Sequence, residues 1–115
     1  LANPDNLTFD PKGRIWIATD GAPDFGTADG IWAAEVRGNK RALTRHFFKC
    51  PAGAEICGPT FTPDGETLFC SIQHPAQDGG SSFANPTTRW PDFDENMPPR
   101  PSVVAITRDG GGSIA

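Results

Sequence analysis

Two stretches of this chain repeat one another. The first reads Leu7-Thr8-Phe9-Asp10-Pro11-Lys12-Gly13-Arg14-Ile15-Trp16-Ile17-Ala18-Thr19, and the second Pro59-Thr60-Phe61-Thr62-Pro63-Asp64-Gly65-Glu66-Thr67-Leu68-Phe69-Cys70-Ser71. Both have the form Thr-Phe-x-Pro-x-Gly followed by an apolar run. Phe9 and Phe61 stand about fifty residues apart, as do Pro11 and Pro63, and Gly13 and Gly65. A period in this range belongs to blades or solenoid units.

Each copy reads as a hairpin. A short strand ends at Phe9 or Phe61, Pro sets one φ angle, Gly supplies a positive one, and the chain reverses. The returning strands are Arg14–Thr19 and Thr67–Ile72. Both are rich in β-branched and aromatic residues and nearly continuous in hydrophobicity, which suits burial on both faces between neighbouring sheets. A Gly-, Ala-, Asp- and Pro-rich loop, Asp20–Gly30, leads to a third strand at Ile31–Val36. A turn at Arg37–Lys40 and a fourth strand at Ala42–Phe48 follow, although Ala42, Leu43, Phe47 and Phe48 also fit one face of a helix over Lys40–Phe48. Four antiparallel strands in about fifty residues make one propeller blade.

The second unit is interrupted. Gln73–Arg100 is dense in Gly, Ser, Asn, Asp and Pro, and a loop of that length is usually a functional lid or a disordered tract. A third strand is expected at Ser102–Thr107, and the fourth is missing or reduced to Ser113–Ala115. The fold class is therefore all-β: a β-propeller fragment of about two antiparallel four-stranded blades. Residues 1–52 form the first blade, and residues 53–115 a second, incomplete one with its insertion at 73–101. A propeller ring normally takes at least four blades. Two blades expose apolar faces that neighbours should cover, so such a fragment is expected to self-associate through them.

Thirteen glycines and twelve prolines in 115 residues agree with many turns and few long helices. The chain opens on Leu-Ala-Asn-Pro without a basic and apolar leader, so no signal peptide is legible, and both ends read as cut from something longer. No apolar run is long enough to span a membrane. A net charge of −4 and a pI near 4.9 leave no basic stripe for nucleic acid. The basic residues from Arg37 to Lys49 alternate with apolar ones and read as a solvated strand-and-turn face. Cys50, Cys57 and Cys70 are odd in number and match no zinc spacing. Cys70 reads as a small buried hydrophobe, and a Cys50–Cys57 bridge is the less favoured alternative.

Loops leading into innermost strands open at the mouth of a propeller's channel. Here they are Asn3-Pro4-Asp5-Asn6 and Gly53-Ala54-Glu55-Ile56-Cys57-Gly58. Asp5, Asn6 and Glu55 offer the oxygen donors that calcium and similar hard ions select. The plainer reading is that Asp5 and Asn6 cap a turn through their own backbone. Glu55, set between Ala54 and Ile56, needs a partner if it points inward, and a cation would serve. Asp20 and His74, at corresponding strand ends, are further candidates. Asp20 also reads as a turn acid before Gly21, and His74 as packing beside Pro75. No Ser-His-Asp order, P-loop or HExxH motif is present.

These segments resemble the PhoX-type secreted alkaline phosphatases. The likeness is carried by Asn3-Pro4-Asp5-Asn6-Leu7, by Asp10–Gly21, by Gly53–Pro59, by Thr62–Phe69 with Ile72-Gln73-His74-Pro75, and by Arg100–Val104. The resemblance implies a six-bladed propeller, exported to the periplasm or beyond, that hydrolyses phosphate monoesters with calcium and iron. It implies that Asp5 and Asn6 are metal ligands and that Glu55 is a site residue. It gives no cysteine of this chain the family's iron-binding role, and it implies a stretch inactive by itself. A calcium-binding propeller of the lactonase type, or a propeller used only for binding, are the alternative readings.

Overall fold

The computed structural model describes residues 1–114. Seven strands form two antiparallel sheets. The first sheet has the order β1 (Pro4–Phe9), β2 (Ile15–Thr19), β3 (Gly30–Ala34) and β4 (Thr44–Lys49). The second has the order β5 (Glu55–Phe61), β6 (Thr67–Gln73) and β7 (Ser102–Thr107). Sequential strands paired in sequence order are the up-and-down sheets of two propeller blades, with β1 and β5 innermost and side by side. The all-β expectation holds. A single turn of 3-10 helix interrupts the loop at Ala22–Phe25, and another occupies Gly38–Lys40.

Several boundaries differ from the sequence reading. The helical alternative over Lys40–Phe48 is replaced by the strand Thr44–Lys49, because Trp32 and Ala33 of β3 pair with His46 and Arg45. The third strand stops at Ala34 rather than Val36. Among the described residues the second sheet has no fourth strand. Instead Ile114 folds back onto the core, its N–H donating to Gly65 O at 3.0 Å; Ala115 lies outside the described residues. All three cysteines are free, so the Cys50–Cys57 bridge does not form.

The core lies between the sheets. Trp16, Ala18 and Ile31 of the first meet Ile56, Leu68, Cys70 and Ile72 of the second, and all seven are buried. Trp16 packs edge-on against both Phe47 and Phe61, with centroids 4.8 and 5.0 Å apart. Period-two alternation sends the other half of each strand to the outer faces. Leu7 and Phe9, each 56% exposed, lie across from Ile17 and Ile15 on one outer face. Phe69 and Val103 stand exposed on the opposite one. In a strand of this period, Trp16 and Phe69 are counterparts that each face the next blade round; only Trp16 has one to face.

The first hairpin is held by Asp10. Its buried carboxylate accepts from Lys12 N at 2.9 Å, and from Arg14 N, Arg14 Nε and Trp16 Nε1 at 3.0 Å each. Thr62 takes the equivalent place in the second hairpin, whose turn is one residue longer: Thr62 N bonds Thr67 O, where Asp10 N bonds Arg14 O. The long segment after β6 carries turns without a strand of its own. It is tied at its end by a bidentate Arg100–Asp92 pair of 2.7 and 2.8 Å.

Candidate functional site

Most of the two expected channel-mouth loops is strand, from Pro4 in the first and from Glu55 in the second. Pro4 already pairs with Thr19, and Glu55 pairs with Gln73. Each innermost strand is broken by an irregularity of register, between Pro4 and Leu7 in β1 and between Cys57 and Thr60 in β5. A bulge of this kind leaves residues unpaired and re-aims their side chains. The irregularity of β1 holds Asp5 and Asn6 and that of β5 holds Gly58 and Pro59, while Glu55 and Cys57 are paired with Gln73 and Ser71 just before it; the two innermost strands converge at this level.

The convergence is concrete. Asn6 Oδ1 accepts from Gly58 N at 3.0 Å, joining one bulge to the other across 52 residues of sequence. Asn6 Nδ2 donates to Asp5 Oδ2. Ligand atoms of Asp5, Glu55 and Cys57 all lie within 4.8 Å of one another. Glu55, with its side chain 15% exposed, is fixed from behind: Oε1 accepts from Gln73 Nε2 at 2.9 Å, and Oε2 lies 3.2 Å from His74 Nε2. Each carboxylate oxygen keeps a second lone pair.

His74 has φ of 32° and Ala76 of 67°, left-handed values that non-glycine residues seldom adopt. The strain is met by contacts to the opposite loop. Ala76 N donates to Ala52 O at 2.8 Å and Gln77 N to Gly53 O at 3.3 Å. Gly53 is needed there, since a Cβ would stand 2.7 Å from Gln77 N. The Gln73-His74-Pro75 motif thus turns the chain sharply and leaves its two polar side chains on Glu55.

Beside this cluster an open cavity of about 570 Å³ is lined by Asp20, Asp24, Asp29, Glu55, His74 and Asp78, among others. Asp29 is buried and spoken for: it accepts from Thr19 Oγ1 at 2.7 Å and from Gly21 N and Ala22 N at 3.0 Å, fixing the wall that carries Asp20. The structure therefore brings Asp5, Asn6 and Glu55 together and sets Asp20 and His74 on the adjoining cavity. The sequence reading weighed Cys57 only as a bridge partner and passed over Asp29 and Asp78. Cys57 was legible in principle, standing four residues before Phe61 as Asp5 stands before Phe9. No helix among the described residues is long and apolar enough to cross a membrane.

Consecutive up-and-down blades whose inner strands bulge toward one acidic rim define a segment of a β-propeller with a polar channel mouth. The sequence model of the family described as Alkaline phosphatase PhoX matches residues 1–76, and the chain belongs to that family. Among solved structures it is similar to Pseudomonas fluorescens PhoX in complex with vanadate, a transition state analogue. Identity is 40% and the TM-score 0.78, over 96% of this chain and 18% of that one. The chain therefore spans under a fifth of that relative's length. No curated protein matches it.

Proposed function

We propose that this chain supplies two adjacent blades, divided near residue 52, of an exported phosphatase acting on phosphate monoesters. Its part is one side of the metal site at the channel mouth. The observation that carries this is the meeting of Asp5, in the bulge of β1, with Glu55, at the start of the neighbouring innermost strand β5. Oxygen donors of this kind suit calcium. Iron, which the family resemblance implies, would be held by residues outside this stretch. Bound at such a rim, cations neutralise phosphate oxygens and activate the attacking oxygen. The chain's own residues orient: Gln73 and His74 set Glu55, Asn6 sets Asp5 and keeps a lone pair for a ligand, and Asp20 lines the space beside them. Periplasmic or secreted placement follows the same resemblance. The family match over both rim segments favours a phosphatase over a lactonase-type or purely binding propeller.

The test is cation binding together with turnover. Terbium, a luminescent calcium substitute, is expected to bind the 115-residue chain weakly, and Asp5→Asn or Glu55→Gln to weaken it by about tenfold or more. An aryl phosphate should not be hydrolysed with or without calcium, because two blades hold only part of a site. Calcium-dependent turnover by the purified chain would overturn the partial-site reading, and unchanged terbium affinity in both variants would overturn the ligand assignment.

The outer faces give a second expectation. Leu7, Phe9, Phe69 and Val103 lie uncovered, so the isolated chain should self-associate to bury them. Light scattering is expected to report a mass above that of one chain, returning to the monomer value in Phe9→Glu/Val103→Glu. A wild-type chain that stays monomeric at high concentration refutes it.

A further inference from the structure

Each blade has two faces, and within the chain one kind of face already packs on the other. The hairpins set the correspondence between blades. Phe9 matches Phe61, and Arg14 matches Thr67, whose carbonyls accept the equivalent bonds. Counted from there, Trp16 of β2 matches Phe69 of β6, and Ile15 and Ile17 match Leu68 and Cys70. One strand further out, Ile31 pairs with Ala18 as Val103 pairs with Ser71, so Ile31 and Val103 also correspond. The first blade buries its Trp16–Ile31 face against the Leu68–Cys70 face of the second, and Trp16 meets Phe61 there edge-on at 5.0 Å.

The two free faces repeat these halves. The second blade presents Phe69 and Val103, 42% and 72% exposed, where the first buries Trp16 and Ile31. The first blade presents Phe9, Ile15 and Ile17 where the second presents Phe61, Leu68 and Cys70 to its neighbour. We infer that the partner of these faces is a second copy of this chain, stacked head to tail. The Phe69 face of one copy lies on the Phe9 face of the next, and Phe69 meets Phe9 as Trp16 meets Phe61. The inference rests on the self-association expected above and fixes which face meets which.

Two further features carry it. No charged residue occurs in β2, β3, β6 or β7, so the contact desolvates no charge from these strands. The faces also differ from each other, so the contact is heterologous, and a heterologous contact repeated through a fixed rotation closes a ring. Blades stack at the angle at which propellers of about four to eight blades close, so about two to four copies complete one. Within the chain β1 and β5 lie side by side. The same stacking sets β5 of one copy beside β1 of the next, and the inner rim is continuous only in the ring.

Light scattering of the 115-residue chain at high concentration is expected to give one discrete mass, about two to four times that of a single chain. Phe9→Glu and Phe69→Glu each block one face, and each alone should give the monomer mass. Mixed in equal amounts they should give about twice that mass, because one intact face of each kind remains. Circular dichroism checks that each variant is folded, and Leu7→Glu with Val103→Glu supplies a second pair for the same mixing. A folded single variant that still self-associates shows like faces pairing, which overturns the head-to-tail geometry and leaves the self-association standing. Folded pairs that stay monomeric on mixing overturn it as well, as does a wild-type mass that climbs without limit. A monomeric wild type overturns both.

Discussion

Asp10→Ala is expected to destabilise the chain by about 3 kcal/mol and to lower Tm by roughly 10 °C or more. The carboxylate is fully buried and accepts four hydrogen bonds, two from backbone and two from side chains. Removing it strands Trp16 Nε1 in the core and leaves Arg14 with only a 3.9 Å approach to Glu35. Burial by itself would raise the Asp10 carboxyl. The indole hydrogen bond, the Arg14 N–H and charge, and the Lys12 N–H outweigh it and hold the carboxyl below its usual value.

The pH dependence follows in sign. A carboxyl lowered in the folded state contributes its full stabilisation above the unfolded value, about 3.9. That contribution is lost as pH falls through the lowered folded value. Denaturant titrations should therefore show wild type losing part of its advantage over Asp10→Asn below about pH 4. A gap between them that stays constant from pH 7 to pH 2 would mean that Asp10 is not the titrating group. A Tm within a degree or two of wild type for Asp10→Ala would end the argument for its role in the hairpin.

Leu68→Ala is the second large effect, again about 3 kcal/mol. Leu68 is wholly buried between the two sheets, beside Ile56, Cys70 and Ile72, and β-sheet backbone on both sides restricts collapse of the hole. Its neighbour is the control. Phe69 is larger but 42% exposed on the outer face, and Phe69→Ala should change stability by less than about 1 kcal/mol. Urea unfolding of both variants decides it. Equal losses would mean that the core does not lie between the sheets, or that both outer faces are covered.

Much of this fold was legible because hairpins carry their own punctuation. Pro11 and Gly13, and Pro63 and Gly65, mark reversals whatever the surroundings, and the apolar runs after them leave little choice but strand. The rim was less legible. Asn3-Pro4-Asp5-Asn6 has the composition of a loop, and only its pairing with β2 turns it into bulged strand. Which side chains a bulge re-aims depends on the neighbouring blade, so the bond from Gly58 N to Asn6 has no local signature. Cys57 was weighed only as a partner for other cysteines. Asp10 sits in a turn motif where aspartate is ordinarily solvated, and its burial follows from Trp16 reaching back to it. The missing fourth strand of the second sheet illustrates the same limit. Ser113 and Ile114 could extend a sheet, but Ile114 reaches the core by folding back instead.

The Asn6–Gly58 strap lies in the same turn of chain as Asp5, so the separation of Asp5 from Glu55 is tied to the angle at which one wedge meets the next. A cation held by Asp5 and Glu55, as proposed above, would through its affinity gauge that angle. Changes far out on the sheets, at Phe47 or Ile106, would register as altered affinity without touching a ligand, and a bound ion would resist any twisting of the ring.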